Sequence, residues 1–167
     1  MKREKVYLVD KNDNVIGSKW RDELTDDDCW RVVSIWVTDR SGNILLQQRS
    51  FQKDLDPGDW SAAAEGTVIF GDEYDESAKR ELEEEIGIAN GILVPVGKIH
   101  HRMLSKGWRV RQGYLCIIDH IEASNIKIQK SEVEQVRWFS PEKFKKFTKD
   151  PEIMSLLNIY KEIGFIN

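Results

Sequence analysis

The sequence of 167 residues has little cysteine and no long apolar run. Its two cysteines, Cys29 and Cys116, stand far apart, which argues against a disulfide framework or a cysteine-rich metal site. We expect both to be buried thiols. No segment is apolar for long enough to cross a membrane, and the first five residues lack the apolar stretch of a secretory signal. The cytoplasm is therefore the expected compartment.

The sequence also lacks a strong excess of one charge. Its formal net charge is −4, and no basic surface suited to long nucleic acid is predicted. Forty per cent of the residues are hydrophobic and 32% are charged, an ordinary composition for a globular domain. The length suits a single domain, 1–167, with a substantial core. The oligomeric state is open, and a homodimer is compatible with the sequence.

Short strand-like segments alternate with a few helical ones. The segment 5–20 predicts a hairpin around a loop rich in turn-forming residues. Helices are predicted in the segment that ends at Gly87, from Pro141 onwards, and over 153–163. The mixed order indicates an α+β fold, with helices on both sides of a central mixed β-sheet. Its other strands are predicted at 31–38, 44–49, 92–96, 98–102, 108–118 and 136–139.

Four carboxylates fall within five positions, at Glu81 and 83–85, just before Gly87. On a helix, like charges three or four residues apart repel. At about 100° per residue, Glu81, Glu84 and Glu85 lie together beside an apolar stripe, while Glu83 faces solvent. A divalent cation would turn this repulsion into attraction, and carboxylate oxygens suit Mg²⁺ or Mn²⁺. The stripe consists of Tyr74, Ala78, Leu82 and Ile86.

The segment from Gly66 to Ile88 resembles the Nudix box, G-x5-E-x7-R-E-U-x-E-E-x-G-U, where U is aliphatic. One fixed position differs, because Asp72 stands where the box has glutamate. Either a one-residue shift of the loop brings Glu73 into this role, or Asp72 caps the helix with Asp75 three residues later. The matching residues are Gly66, Arg80, Glu81, Leu82, Glu84, Glu85, Gly87 and Ile88.

The resemblance implies the Nudix α/β/α sandwich and the hydrolysis of a nucleoside diphosphate linked to another moiety. It implies Mg²⁺, with Mn²⁺ as a substitute, and a small-molecule diphosphate as substrate. Arg80 would orient a glutamate by a salt bridge. Glu81 is the first choice for the general base, with Glu134 and Glu132 before the last strand as alternatives. The implied metal ligands are Glu81, Glu84, Glu85 and, at the differing position, Asp72.

A diphosphate substrate also needs cationic partners. Arg109 and Arg111 alternate along one predicted strand, so both side chains would point to the same face. Arg49 resembles a residue that ends a strand beside the cleft of the family, and Lys53 is a further candidate. The adjacent histidines 100 and 101 would face opposite ways, and surface or core roles are favoured for them over a place at the site.

The resemblance extends upstream of the box to isopentenyl-diphosphate-isomerase-like Nudix proteins, through 45–50, Lys53, Pro57-Gly58 and Trp60. That isomerase uses a cysteine just before the box glycine and a histidine just after it. This chain has Glu65 and Thr67 there, so hydrolysis is the expected reaction. Isomerisation of isopentenyl diphosphate is one alternative. The other alternative is a non-catalytic ligand-binding module. The presence of Asp72 in place of the box glutamate gives this alternative some support.

Overall fold

The sheet is built around its third strand, β3. In the computed structural model, which describes residues 3–54, 56–102 and 107–144, β3 pairs with four other strands. The strands are β1 (Lys5–Val9), β2 (Val15–Trp20), β3 (Cys29–Asp39), β4 (Ile44–Arg49), β5 (Trp60–Ser61), β6 (Ala64–Thr67), β7 (Ile92–Arg102), β8 (Trp108–Ile118) and β9 (Val133–Phe139). The helices are α1 (Tyr74–Ile86) and α2 (Pro141–Phe144).

The two edges of β3 are used differently. Along one edge, β8 runs parallel to it over its whole length, and β7 then pairs with β8. Along the other edge, β1, β6 and β4 follow one another as antiparallel partners. Beyond β4 lie β5 and β9. The predicted mixed sheet is therefore confirmed.

Each face of the sheet carries its own core, because successive side chains of β3 point to opposite faces. On one face, Val33, Ile35 and Val37 pack in the cluster that holds the apolar stripe of α1. On the other face, Trp36 packs edge-on against Phe144 of α2 at a ring distance of 5.8 Å. Helices thus lie on both faces, as predicted.

Some predicted boundaries were wrong. The segment predicted as two strands, 92–96 and 98–102, is the single strand β7 with a bulge between Pro95 and Gly97. Gly97 adopts φ 129°, which glycine alone tolerates readily, so the strand continues through the irregularity. The last strand begins at Val133, which puts Glu134 inside it rather than in the preceding loop. The predicted helix over 153–163 lies outside the described residues.

Of the two cysteines expected to be buried thiols, one is fully buried. Both thiols are free, with Cys116 buried and Cys29 half-buried. Burial raises the pKa of the Cys116 thiol to about 11. Among the described residues, no helix has the length and apolar character needed to span a membrane.

The N-terminal hairpin is tied to the rest of the fold at Asp13. The carboxylate of Asp13 accepts hydrogen bonds from Arg31 Nε at 2.7 Å, from the Tyr74 hydroxyl at 3.0 Å and from Lys98 Nζ. Burial alone would raise the pKa of Asp13, but these three donors outweigh it and lower the pKa. One carboxylate therefore joins the hairpin to β3, to β7 and to the first residue of α1.

Removing the charge of Asp13 is expected to destabilise the fold. Asn fits the left-handed backbone at this position, where φ is 69°, so Asp13→Asn changes mainly the electrostatics. We expect the free energy of unfolding at neutral pH to fall by about 2 kcal/mol. Because the folded pKa is lowered, the contribution exists above the ordinary carboxyl pKa of 3.8 and is lost as the pH falls below it. Urea denaturation at several pH values measures this.

Asp119→Asn is the matched control for Asp13→Asn. Asp119 pairs with Arg40 at 2.6 Å, but its side chain is 84% exposed. Exposed ion pairs contribute little, so this loss should stay below about 0.5 kcal/mol. Equal losses of unfolding free energy in the two variants would show that the hydrogen bonds of Asp13 stabilise the fold no more than an exposed ion pair does.

Candidate functional site

Helix α1 presents its acidic residues at graded depths. The predicted apolar stripe is buried, and Glu85 beside it is only 6% exposed. The Glu81 side chain is 13% exposed and that of Glu84 is 56% exposed. Gly87 ends the helix in the left-handed conformation, with φ 68°. The three carboxylates therefore extend from the core to the solvent along one side of the helix.

The start of α1 shows which residue caps the helix. Glu73 occupies the N-cap position, and its backbone N–H donates to the Glu76 carboxylate at 2.9 Å. The interpretation of Asp72 as the cap was therefore wrong. The Asp72 carboxylate accepts from the Ser77 hydroxyl at 3.3 Å and lies 3.6 Å from Arg80 Nε. Asp72, rather than Glu73, is the acidic residue that lies beside the box arginine.

Arg80 lies against three carboxylates at once. Its Nη1 donates to Glu81 Oε1 at 2.7 Å and lies 3.5 Å from Glu84 Oε2, in addition to the Asp72 contact. Its Nη2 donates to the Thr67 carbonyl at 3.4 Å. This last bond ties the guanidinium to β6, so Arg80 holds Glu81 in one orientation relative to the sheet.

Gly66 is required because Glu81 comes so close to β6. A Cβ atom on residue 66 would lie 2.0 Å from the Glu81 carboxyl carbon and 2.3 Å from Oε1. Both distances are far shorter than a real carbon contact. The glycine therefore allows the close approach of the Glu81 carboxylate to β6 and is not needed for an unusual backbone angle. The strand and the carboxylate are fixed against each other.

Glu85 is buried in the same region. Its Oε2 accepts from Gln47 Nε2 at 3.0 Å and from the Glu65 backbone N–H at 3.2 Å. Burial, with the nearby charges of Glu81 and Glu65, raises the pKa of Glu85 to about 8. Burial likewise raises the pKa of Glu81 to about 7, although Arg80 opposes the shift. Both carboxyl groups therefore favour the protonated form unless a further positive charge lies beside them.

The chemistry of these donors fits a divalent cation. Besides the carboxylates, Gln47 Oε1 is a buried oxygen with no hydrogen-bond partner among the described residues. Hard oxygen ligands of this kind suit Mg²⁺ or Mn²⁺, and a cation would compensate the buried charge. Within the described ranges, no three acidic, histidine or cysteine side chains already converge as a metal cage. Arg80 is the cation that accompanies Glu81, Glu84 and Asp72.

The predicted cationic residues come from two strands, with Arg109 and Arg111 on β8 and Arg49 at the end of β4. Arg111 Nη1 lies 3.5 Å from Glu65 Oε1, next to the box glycine. Arg109 is buried against the Trp30 indole, with its guanidinium carbon 3.0 Å from the ring centre. Arg49 ends β4, where its backbone N–H donates to the Asp59 carbonyl at 2.9 Å.

The loop residues proposed for catalysis or binding make other contacts. Lys53 forms an ion pair with Glu132, so each offsets the charge of the other. Glu134 is a strand residue whose backbone carbonyl accepts from Lys130 Nζ at 3.0 Å. His100 stacks on Trp108 with 4.8 Å between the rings, and the His101 side chain lies outside the described part of the structure.

Sequence reasoning missed two residues of this region. Gln47 lies in a buried strand after three apolar residues, and its polarity there was an available signal. Glu65 was considered only as the position of the isomerase cysteine, yet it contacts Arg111 and also accepts from the Ser34 hydroxyl at 3.3 Å.

Comparison with known proteins agrees with this geometry. The model of the NUDIX domain matches residues 30–157. An uncharacterized Nudix hydrolase of Yersinia pestis is 34% identical over 140 residues, which cover 83% of this chain and 74% of that protein. The Nudix hydrolase YfcD of Escherichia coli K12 is 33% identical over 141 residues, 83% of this chain and 75% of that protein.

Two further similarities bear on the fold and on the rival reaction. The crystal structure of DR0079 from Deinococcus radiodurans superposes with a TM-score of 0.70 at 21% identity, covering 86% of this chain and 88% of that one. A shorter match, 36% identical over 87 residues, is to isopentenyl-diphosphate Delta-isomerase of Serratia proteamaculans. It covers 52% of this chain and 49% of that protein.

The mixed sheet, the acidic helix and the glycine-lined contact define the Nudix fold and its box. With the match over residues 30–157, the chain belongs to the Nudix family. It is a Nudix hydrolase, an enzyme that acts on phosphorus-containing anhydrides. The resemblance predicted from the box is thereby confirmed.

Ionised Glu85 is expected to oppose folding when no divalent ion is present. Its pKa rises from 4.5 to about 8 on folding. The protonated carboxyl group therefore contributes to the stability of the fold below pH 4.5, and this contribution is lost as the pH rises through 8. We expect Glu85→Gln to raise the unfolding free energy of the metal-free protein by about 1–3 kcal/mol near pH 9, but hardly at all near pH 5. Urea titrations in chelator measure this, with the exposed Glu83→Gln as control. Lower stability of Glu85→Gln near pH 9 would contradict the assignment.

Gly66→Ala is expected to damage activity more than stability. The new methyl group must displace Glu81, whereas the backbone angle at residue 66 is accessible to alanine. A displacement on the scale of an ångström lowers kcat/KM by about 100-fold. Steady-state hydrolysis and thermal unfolding test the two effects separately. Gly17→Ala is the control, because its Cβ would meet only Leu8 Cδ1 at 4.0 Å. Full activity in Gly66→Ala would mean that the close approach has no catalytic role.

Proposed function

We propose that this enzyme hydrolyses the diphosphate bond of a nucleoside diphosphate linked to another moiety, with Mg²⁺ as cofactor. The observation that carries the proposal is the uncompensated acidic side of α1, where Glu81 and Glu85 are buried and Arg80 fixes Glu81 against Gly66. A small anionic substrate is the expected partner, and the cytoplasm is the expected compartment.

The residues that would hold the cation are Glu81, Glu84 and Glu85, with Asp72 beside them. Their carboxylates satisfy the preference of Mg²⁺ for hard oxygen ligands, and Mn²⁺ suits the same donors. When bound, such an ion neutralises charge that develops on the leaving phosphate and favours deprotonation of the attacking water.

The chain itself supplies positioning and proton transfer. Glu81 is our first choice for the base that accepts the proton of the attacking water, because Arg80 and β6 hold its carboxylate in one orientation. Glu134 is the second choice. An in-line displacement at phosphorus depends mainly on such positioning and on electrostatics.

Arginines would bind the anionic substrate. Arg111 adjoins the box through Glu65, and Arg109 lies two residues away on the same face of β8. Arg49 at the end of β4 is the third candidate. Guanidinium groups suit this role because they can donate two parallel hydrogen bonds to one phosphate.

Isomerisation of isopentenyl diphosphate is the second candidate, and the partial match to that isomerase is what favours it. Glu65 and Thr67 stand where that reaction uses cysteine and histidine. Both thiols of this chain lie elsewhere, Cys29 opposite Trp108 and Cys116 opposite Val37 on the β3–β8 pair. Incubation with isopentenyl diphosphate and analysis of the product separate the two reactions.

Glu84→Gln tests the proposed hydrolysis. Removing one exposed carboxylate of the cation site should lower kcat by about 100-fold or more, because the charge on the leaving phosphate would be less well stabilised. Release of phosphate or nucleotide from a panel of nucleoside diphosphate derivatives, with Mg²⁺ or Mn²⁺, measures the effect. Glu83→Gln is the matched control, since Glu83 is exposed on the opposite side of the same helix. Activity that survives both Glu84→Gln and a chelator would rule out the cation-dependent mechanism.

A further inference from the structure

The loop between β6 and α1 is held by the first strand of the N-terminal hairpin. The Phe70 backbone N–H donates to the Lys5 carbonyl at 2.7 Å. The Gly71 backbone N–H donates to the hydroxyl oxygen of Tyr7 at 3.0 Å. The first bond joins backbone atoms only, so it does not depend on the side chain at position 5. The second bond depends on a single side-chain atom, the Tyr7 hydroxyl oxygen.

The Tyr7 side chain is itself held by packing. Its ring centre lies 4.8 Å from that of Phe70, with 38° between the two ring planes. The Arg31 guanidinium carbon lies 5.2 Å from the centre of the Tyr7 ring, and Arg31 is fixed in turn by its hydrogen bond to Asp13. These contacts hold the ring in one place. The hydroxyl oxygen therefore presents an acceptor at a defined point beside the loop.

Residues 69–72 form a turn whose geometry depends on Gly71. The backbone N–H of the fourth residue donates to the carbonyl of the first at 3.1 Å, which closes the turn. The backbone φ is positive at Gly71, where it is 104°, but not at Phe70 before it. This combination is that of a type II turn, whose central peptide group is turned over relative to a type I turn. The Tyr7 hydroxyl accepts the N–H of this central peptide group and so favours the type II arrangement.

The last residue of this turn, Asp72, lies against the box arginine. Its carboxylate is 3.6 Å from Arg80 Nε, slightly beyond the length of a hydrogen bond. Arg80 Nε is buried and has no hydrogen-bond partner among the described residues. Because aspartate is one methylene shorter than the glutamate of the box, its reach to Arg80 depends on where the turn places its backbone. A small movement of the turn therefore changes how well the buried N–H is compensated.

We propose that Tyr7 is a positioning residue for hydrolysis, and that its hydroxyl group sets the orientation of Glu81. It acts through the turn, which places Asp72 beside Arg80. Arg80 in turn donates to Glu81 Oε1 at 2.7 Å. This deepens the proposed function, on which it rests, by assigning a role to a residue outside the matched range 30–157.

Tyr7→Phe removes the acceptor and keeps the ring, and nuclear magnetic resonance of isotope-labelled protein measures the consequence. The Gly71 amide should exchange with deuterium about tenfold faster or more, whereas the Phe70 amide, which donates to a backbone carbonyl, should keep its rate. The Arg80 Nε–H resonance should move in the same direction as in Asp72→Asn, because both variants alter the carboxylate nearest to Nε. Both signals are recorded without substrate or cation.

Steady-state kinetics test the link to catalysis. On a hydrolysed substrate, Tyr7→Phe should lower kcat by about tenfold and leave KM largely unchanged, because the orientation of Glu81 affects the chemical step rather than substrate binding. Asp10→Ala is the matched control. The Asp10 carboxylate accepts from the backbone N–H groups of Asn12 and Asn14, so its loss weakens the same hairpin without touching the turn. This control should keep the wild-type kcat and the wild-type Arg80 resonance.

Gly71→Ala reaches the same turn through the backbone. A Cβ atom at this position would meet no atom within 4 Å, so the methyl group acts only through the positive φ that alanine disfavours. We expect the same fall in kcat and the same movement of the Arg80 resonance as in Tyr7→Phe. Because both changes act through one peptide group, the double variant should lose about as much as the more impaired single variant. Additive losses would show that Tyr7 acts by another route.

The outcomes separate this inference from the proposed function. A wild-type kcat in Tyr7→Phe, an unmoved Arg80 resonance, or equal losses in Asp10→Ala would each overturn the positioning role. Hydrolysis of nucleoside diphosphate derivatives would stand in all three cases. Conversely, faster exchange at Gly71 together with a moved Arg80 resonance would support the link from Tyr7 to the box arginine even if the hydrolase panel showed no turnover.

Discussion

The contact between Glu81 and the strand that carries Gly66 is the constraint on which the rest of the site depends. It requires a glycine on β6, a helix that approaches the sheet closely, and an arginine that holds the carboxylate in place. Burying a carboxylate in this way is unfavourable, as the raised pKa of Glu81 shows. The fold tolerates that penalty because the apolar stripe of α1 packs on the sheet with Leu82 and Ile86 almost fully buried.

The β-sheet brings distant segments to this contact. The long parallel pairing of β3 with β8 places Arg109 and Arg111 beside Trp30 and Val32, although about 80 residues separate the strands in sequence. The antiparallel β6 pairs with the middle of β3, which puts Glu65 opposite Ser34. The register of the strands therefore decides which acidic and basic groups from distant segments lie beside one another. The spacing of the three glutamates, in contrast, is set by the box helix alone.

The N-terminal hairpin lies outside the matched residues 30–157, yet side-chain contacts join it to the matched domain. Asp13 connects the hairpin to β3, β7 and α1, so this N-terminal segment is part of the fold rather than an appendage. Loop 50–59 is anchored by the Lys53–Glu132 pair and by hydrogen bonds of β4.

The sequence alone determined the box helix, its inward stripe and the family, because these follow from residues close together in the chain and from the fixed geometry of a helix. It also predicted most strands, through β-branched runs and turn residues. Only the tertiary structure decided that Asp72 lies against Arg80 while Glu73 caps the helix, that Gly97 lets one strand continue, and that Gln47 and Glu65 lie near the box. These depend on strand pairing and burial between segments far apart in the chain, and no local pattern encodes such pairings.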